Sequence, residues 1–190
     1  DASSERSIDP RTLAARLDVL LPAARTIASG DGVCFGWSIL GLAVPDERGW
    51  LMMLGYQSLG HALGAAIGAA VGRPDRLAVA TVGDGGLMMA LSELETAVRV
   101  GRPLLVVVFN DSAYGAEVFH LTHHHPGPDD LARFPDVDFA ATARGLGCHA
   151  VTVRRESDLE PLERWLQEPA GTFVIDAKVT PKVWADWMFG

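Results

Sequence analysis

Hydrophobic and polar positions along this chain follow two rhythms. Leu77-Ala78-Val79-Ala80-Thr81-Val82 and Pro103-Leu104-Leu105-Val106-Val107-Val108-Phe109 are apolar at nearly every position and rich in β-branched residues. That is the pattern of strands buried on both faces of a parallel sheet. Shorter runs predict further strands at 25–28, 150–153 and 172–177. Between the strands, apolar residues recur every three or four positions. Asp9 is a capping residue followed by Pro10 in a first turn, and Leu13, Leu17, Leu20 and Leu21 lie along one helical face. Met88, Leu91, Leu94 and Val98 keep the same spacing over 87–100. A Gly- and Ala-rich helix is predicted over 59–71, with others near 138–144 and 158–167. Strands alternating with helices predict an α/β fold, a doubly wound parallel sheet with helices on both faces. Residues 1–8 are polar and read as a linker; residues 9–190 read as a single domain.

Both long apolar runs end abruptly in polar residues. A right-handed strand-helix-strand crossover brings the two tips to one carboxyl edge of the sheet, where open α/β folds hold their ligands. The first tip is Gly83-Asp84-Gly85-Gly86; the second is Asn110-Asp111-Ser112-Ala113-Tyr114-Gly115. Asp84 and Asp111 can converge on one hard cation, Mg²⁺ or Ca²⁺ rather than a soft metal, with a backbone carbonyl near Ala113 adding a third oxygen. Gly85 and Gly86 have no side chains, so their amides can approach phosphate oxygens closely. Alone, Gly-Asp-Gly is an ordinary turn. It gains weight from the complete crossover and the Asn-Asp at the next strand's tip. The chain has no Gly-x-x-x-x-Gly-Lys, and the glycines after Val82 do not form Gly-x-Gly-x-x-Gly.

Composition narrows the classes. The chain has 190 residues, 48% of them apolar, and a net charge of −8. The length suits one α/β domain with a sizeable core. The charge argues against a nucleic acid or an anionic membrane as partner through bulk electrostatics. The small-residue helix is too short to span a bilayer and carries His61. Cys34 and Cys148 have no metal or redox spacing, and no charged-then-apolar leader opens the chain, so a reduced, cytoplasmic protein is expected.

The two tips resemble the diphosphate-binding domain of thiamine diphosphate enzymes, whose motif is Gly-Asp-Gly followed, one crossover later, by Asn-Asn or Asn-Asp. The resemblance covers nearly the whole chain and is closest to acetolactate-synthase-like and 2-oxo acid decarboxylase members. It implies that Asp84, Asp111 and the Ala113 carbonyl hold Mg²⁺, with Ca²⁺ as a substitute, and that Gly83, Asp84, Gly85, Gly86, Asp111, Ala113, Tyr114 and Gly115 surround the cofactor's diphosphate. Asn110 matches the Asn that precedes the second ligand. A second match, Gly55-Tyr56-Gln57-Ser58-Leu59-Gly60, resembles the segment whose aliphatic residue wedges under the cofactor and holds it bent. Leu59 is then the wedge, and Gln57, Ser58 and Leu59 bind the aminopyrimidine. A third, weaker match is Ser29-Gly30-Asp31-Gly32-Val33-Cys34, similar to the family's first phosphate-side loop; Gly30 and Gly32 offer backbone amides. Acetolactate-synthase-like members usually have Gln-His where this chain has Val33-Cys34, so side-chain phosphate contacts are not implied there.

His120, His123, His124 and His125 have spacings of three and four but no Cys or carboxylate at ligand spacing, which favours a surface or lid cluster over a zinc site. In the family the region of His120 overlooks the substrate side of the thiazolium, and a histidine there can relay protons or contact a carboxylate. The apolar tail Trp184-Ala185-Asp186-Trp187-Met188-Phe189 is expected to dock on its own domain or, alternatively, to cover a partner. The family places an activating glutamate on a separate pyrimidine-binding domain, and Glu47, Glu93 and Glu95 are poorly placed for that task. The resemblance therefore implies a partner domain or subunit that supplies the glutamate, a dimer or tetramer of paired domains, and a small 2-oxo acid that is decarboxylated or ligated to a carbonyl. Two rivals are a non-catalytic cofactor-binding or regulatory subunit and a Mg²⁺-dependent phosphoryl-transfer enzyme.

Overall fold

The structure is a computed structural model describing residues 1–53, 55–124 and 127–185. Asp9 accepts a hydrogen bond from the Arg11 amide at 2.9 Å and starts α1 (Pro10–Leu20), which buries Leu13 and Leu17. The Arg11 guanidinium beside Asp9 holds its carboxyl well below the usual range. Then come β1 (Arg25–Ser29), α2 (Val33–Gly41), β2 (Trp50–Met52), α3 (His61–Gly72), β3 (Leu77–Gly83), α4 (Asp84–Met89), α5 (Glu93–Val100), β4 (Leu104–Asn110), α6 (Gly115–His123), α7 (Phe139–Gly145), β5 (His149–Val153), α8 (Glu160–Trp165) and β6 (Thr172–Lys178).

The strands form one six-stranded sheet in the order β2-β1-β3-β4-β6-β5, every pair parallel. Alternate residues of each strand feed two cores. On one face Ile27, Val79 and Leu105 pack with Leu13, Leu17 and Trp37 and with Leu162 of α8. On the other, Ala80, Val106 and Val174 pack with Leu63, Leu94 and Phe139. Helices therefore cover both faces, as expected of a doubly wound sheet.

Three details differ from the pattern-based expectation. The single crossover helix over 87–100 is two: α4 starts at Asp84, and short-range bonds from Ala90 to Leu87 and from Glu93 to Ala90 carry the chain into α5. The edge strand β2 and the helix α2 had no periodic signal. The expected linker 1–8 ends in a buried residue. Ile8 is 1% exposed, donates to Lys178 O at 2.8 Å and accepts from Thr180 at 3.0 Å, so the chain is already pinned to the end of β6 there.

The direction of winding reverses between β1 and β3, and the register of the neighbouring strands sets what gathers at that switch. Ser29 lies opposite Thr81, and Gly83 opposite Phe109. The segments after β1, β3 and β4 therefore reach the same carboxyl edge at the same height, with Asp84 level with the Asn110-Asp111 pair.

Candidate functional site

At that edge lies a cavity of about 480 Å³, walled by the first turns of α2 and α6 and by the tips of β3 and β4. Of the residues singled out from the sequence, Gly32, Gln57, Leu59, Gly83, Asp84, Gly85, Gly86, Asp111, Ala113, Tyr114, Gly115 and His120 all line it. Two do not. Gly30 gives its amide to Thr81 O at 2.8 Å and lies close to Ala62, so it serves strand packing and has no amide to offer a phosphate. Ser58 stands behind Leu59, and its carbonyl faces the His61 amide at 3.5 Å, at the start of α3.

Asp84 fastens the two strand tips together. It is 1% exposed; its Oδ1 accepts from the Gly85 amide at 2.8 Å and its Oδ2 from the Ser112 amide at 2.7 Å. Burial, reinforced by the charge of Asp111, pushes its carboxyl up to about 7, and burial pushes Asp111 up to about 6. Two carboxylates held in one dry place repel protons poorly and attract a hard cation well, so the donor set fits Mg²⁺ or Ca²⁺. Among the described residues no three His, Cys, Asp or Glu side chains gather around one point. Any further coordination falls to a carbonyl such as that of Ala113 and to oxygens of a ligand.

The raised values fix the sign of a pH effect. Between the ordinary carboxyl value and about 7, the folded metal-free protein holds protons that the unfolded chain has released, so its stability falls as pH rises through that window. A bound cation must displace the same protons, so its stabilisation grows over the same window. We expect the melting temperature of the metal-free protein to drop between pH 5 and pH 8 while the increment from added Mg²⁺ increases. An increment that does not change with pH would remove Asp84 and Asp111 from the ion.

The cradle around these carboxylates leaves no room for side chains. A Cβ on Gly85 would stand 2.4 Å from the Tyr114 ring, which packs edge-on against Phe134 with centroids 5.4 Å apart. One on Gly115 would stand 2.9 Å from Asp111 Oδ2. Among the described residues the two non-glycine positions with positive φ are Gln57 at 50° and Ser112 at 59°. Gln57 lines the cavity and Ser112 gives its amide to Asp84 beside it, and stored backbone strain commonly collects at such places.

Beneath the loop runs a buried polar chain. Asp176, fully buried, accepts from Asn110 Nδ2 at 2.8 Å and from the Phe139 amide at 3.1 Å, and forms an ion pair with Lys178 Nζ at 2.9 Å. Asn110 Oδ1 in turn accepts from Ser112 N at 3.2 Å. Asn110 thus points back into the sheet and sets the turn that presents Ser112 to Asp84.

Sequence reasoning missed Asp31 and Glu117 as cavity residues. Both oxygens of Asp31 are buried without a hydrogen-bond partner, and burial raises its pKa. A lone carboxylate between two glycines at a strand's end was the only available signal. Cys34 also lines the cavity; burial and the three neighbouring aspartates push its thiol up to about 12, which leaves it inert. Of the histidines, His120 faces the cavity, while His123 stacks on Phe119 at 4.3 Å and lies near Trp184 at 5.8 Å. The tail begins by docking on its own domain through Trp184 and the buried Ala185; Trp187, Met188, Phe189 and His125 lie outside the described residues. No helix among the described residues is long and apolar enough to cross a membrane.

Residues 30–177 match the family model described as thiamine pyrophosphate enzyme, C-terminal TPP binding domain. The putative acetolactate synthase large subunit IlvB2 of Mycobacterium tuberculosis is 28% identical over 93% of this chain and 32% of its own length. The probable 2-ketoarginine decarboxylase AruI of Pseudomonas aeruginosa is 39% identical over 65% of this chain and 22% of its own length. The thiamine diphosphate-dependent 4-hydroxybenzoylformate decarboxylase of Rhodococcus jostii RHA1 shares the fold, with a TM-score of 0.85 at 20% identity over 94% of this chain and 34% of that one. The chain thus spans between 22% and 34% of the length of these relatives.

Proposed function

The chain belongs to the thiamine pyrophosphate enzymes, as their C-terminal TPP-binding domain, and on that footing we propose that it builds one half of an active site that decarboxylates a 2-oxo acid or ligates it to a second carbonyl compound. The observation that carries this reading is the pair of buried carboxylates, Asp84 and Asp111, set beside a glycine cradle at the sheet's switch point. Relatives named as an acetolactate synthase and a 2-ketoarginine decarboxylase support the reaction class.

In this reading Asp84, Asp111 and the Ala113 carbonyl hold Mg²⁺, which neutralises the diphosphate. Gly85, Gly86 and the amides that open α2 after Gly32 approach the phosphate oxygens. Gln57 and Leu59 would hold the aminopyrimidine end of the cofactor through their backbones, and the Leu59 side chain would serve as the wedge beneath it. Bound thiamine diphosphate supplies the electron sink for cleavage next to a carbonyl. His120 is placed on the α6 side of the cavity to hold a proton or a substrate carboxylate at its imidazole. The glutamate that activates the aminopyrimidine is assigned to a pyrimidine-binding domain, in a dimer or tetramer of paired domains.

Native mass spectrometry of the protein from its own cells, with thiamine diphosphate and Mg²⁺ supplied, tests this. Cofactor mass gained together with the partner domain supports the reading; cofactor uptake without turnover of any 2-oxo acid would instead make the chain a regulatory subunit. Leu59→Ala is expected to lower the holoenzyme's kcat about 100-fold, the scale of a misplaced reacting group, with cofactor affinity within a few fold of the parent. Equal kcat would remove the wedge role.

A further inference from the structure

We propose that Asp31 must carry a proton for this site to accept thiamine diphosphate, which couples cofactor uptake to the protonation of a carboxyl that holds no metal. The inference rests on the cofactor reading above and goes beyond it, since neither the metal ligands nor the glycine cradle requires such a proton.

Asp31 is a carboxyl that nothing in the fold answers. It lines the cavity beside Gly32, and each of its oxygens exposes less than 1 Å² and accepts no hydrogen bond. It stands just before α2, where an ionised carboxylate would ordinarily take the free amides of the first turn. Yet α2 has no side-chain cap. Those amides remain for an anion while the carboxyl next to them stays unpaired. Burial raises its pKa, and the opposing field of His61, at the start of α3, does not cancel the rise.

The rest of the wall does not make up the charge. It includes neither Lys nor Arg, and His120 on α6 is the one cavity residue that can become cationic. Asp84 and Asp111 balance a single divalent cation between them, and Glu117 on α6 adds a further negative charge. At the start of α2, Val33 has no donor, and the Cys34 thiol is turned to the carbonyls of Asp31 at 3.3 Å and Gly30 at 3.9 Å. A diphosphate set against an ionised Asp31 would meet like charge in a desolvated place, where repulsion is strong. A proton removes that repulsion and turns the carboxyl into a hydrogen-bond donor for an anion.

The test uses the full protein, this chain with its pyrimidine-binding domain, stripped of cofactor and kept in saturating Mg²⁺. Calorimetry measures thiamine diphosphate affinity between pH 5.5 and pH 8 in the parent, Asp31→Asn and Asp31→Ala. Protons common to all three proteins, those of Asp84, Asp111 and the cofactor's own phosphate, cancel in the ratios. We expect both neutral variants to bind about tenfold or more tightly than the parent at pH 8, an advantage that shrinks towards pH 5.5. Titrations at pH 8 in buffers of different ionisation enthalpy should show the parent taking up about one proton more than Asp31→Asn. A ratio that does not change with pH would overturn the proposal and leave Asp31 as a desolvated carboxyl that the fold tolerates. Weaker binding in both variants at every pH would also overturn it, by making the ionised carboxylate a binding group. Mg²⁺ titrated without cofactor should bind Asp31→Asn within a few fold of the parent; a loss of about a hundredfold would assign Asp31 to the cation and overturn the proposal. Cofactor binding by none of the three proteins at any pH would overturn it together with the cofactor reading.

Discussion

Asp84→Ala is expected to abolish Mg²⁺-dependent binding of thiamine diphosphate, with affinity falling about a thousandfold. Two separate losses combine. The cation loses one of two anionic ligands in a buried place, and removing one partner from such a charge arrangement costs about 3–5 kcal/mol, which is about 10² to 10³·⁵ in affinity. The amides of Gly85 and Ser112, at 2.8 and 2.7 Å, also lose the acceptor that fixes the loop. Folding should suffer much less. The metal-free protein already stabilises Asp84 poorly, as its elevated pKa of about 7 shows, so relief of desolvation offsets the lost hydrogen bonds. Asp84→Asn should fall between, since it keeps an acceptor and loses the charge. Titration of the cofactor at fixed Mg²⁺, followed by calorimetry, reads the difference. Unchanged affinity in Asp84→Ala would sink the site assignment, and a variant that fails to fold would show that the carboxylate is a structural clasp first.

Why this pair could be read from the sequence, and other parts of the site could not, has a physical explanation. Strands buried on both faces need apolar residues at every position, so β3 and β4 announced themselves. Once two parallel neighbours are joined by a crossover, the handedness rule and the sheet's own register leave their tips nowhere to go but the same edge. Asp84 and Asp111 follow from chain connectivity alone. The short edge strand β2 escaped because Trp50, Leu51 and Met52 are partly exposed and only three residues long. The helix α2 escaped for the opposite reason. Val33 to Leu40 is apolar almost throughout, with Gly36 within it, so no polar face marks a period of 3.6. It starts without a side-chain cap, from Gly32 at a φ of 87°.

Asp31 and Glu117 were illegible in a deeper sense. Nothing in their local sequence distinguishes them from solvated turn and helix carboxylates. Their chemistry is created by what the fold stacks around them: the β1 tip against α3 for Asp31, and the mouth of a cavity free of Lys and Arg for Glu117. The role of Asn110 changed in the same way. As a motif residue it was only the Asn that precedes the second ligand, and its amide turns inward to Asp176 and Val137. What it does in the structure is hold the turn that presents Ser112 to Asp84.

That inward link makes the last prediction. Asp176→Ala is expected to destabilise the protein by about 3 kcal/mol, the scale for breaking a buried charged network from one side. Asp176 is fully buried, accepts two hydrogen bonds and forms an ion pair with Lys178. Its removal leaves the largely buried Lys178 with Asp136 and the Val137 carbonyl as its remaining partners, and leaves the Phe139 amide at the start of α7 with only the Val137 carbonyl, at 3.2 Å. Asp176→Asn should cost less, because it preserves the volume and one acceptor. The functional effect should exceed what lost stability explains. Without Asp176, Asn110 can rotate, Ser112 loses the partner that supports its φ of 59°, and the amide that clasps Asp84 drifts. At a temperature where both proteins are fully folded, Mg²⁺-dependent cofactor affinity should be about 10- to 100-fold weaker in Asp176→Ala, the range for outer-shell residues of metal sites. A variant that is less stable but binds the cofactor as tightly as the parent would show that the polar chain beneath the loop holds up the sheet and has no share in the site.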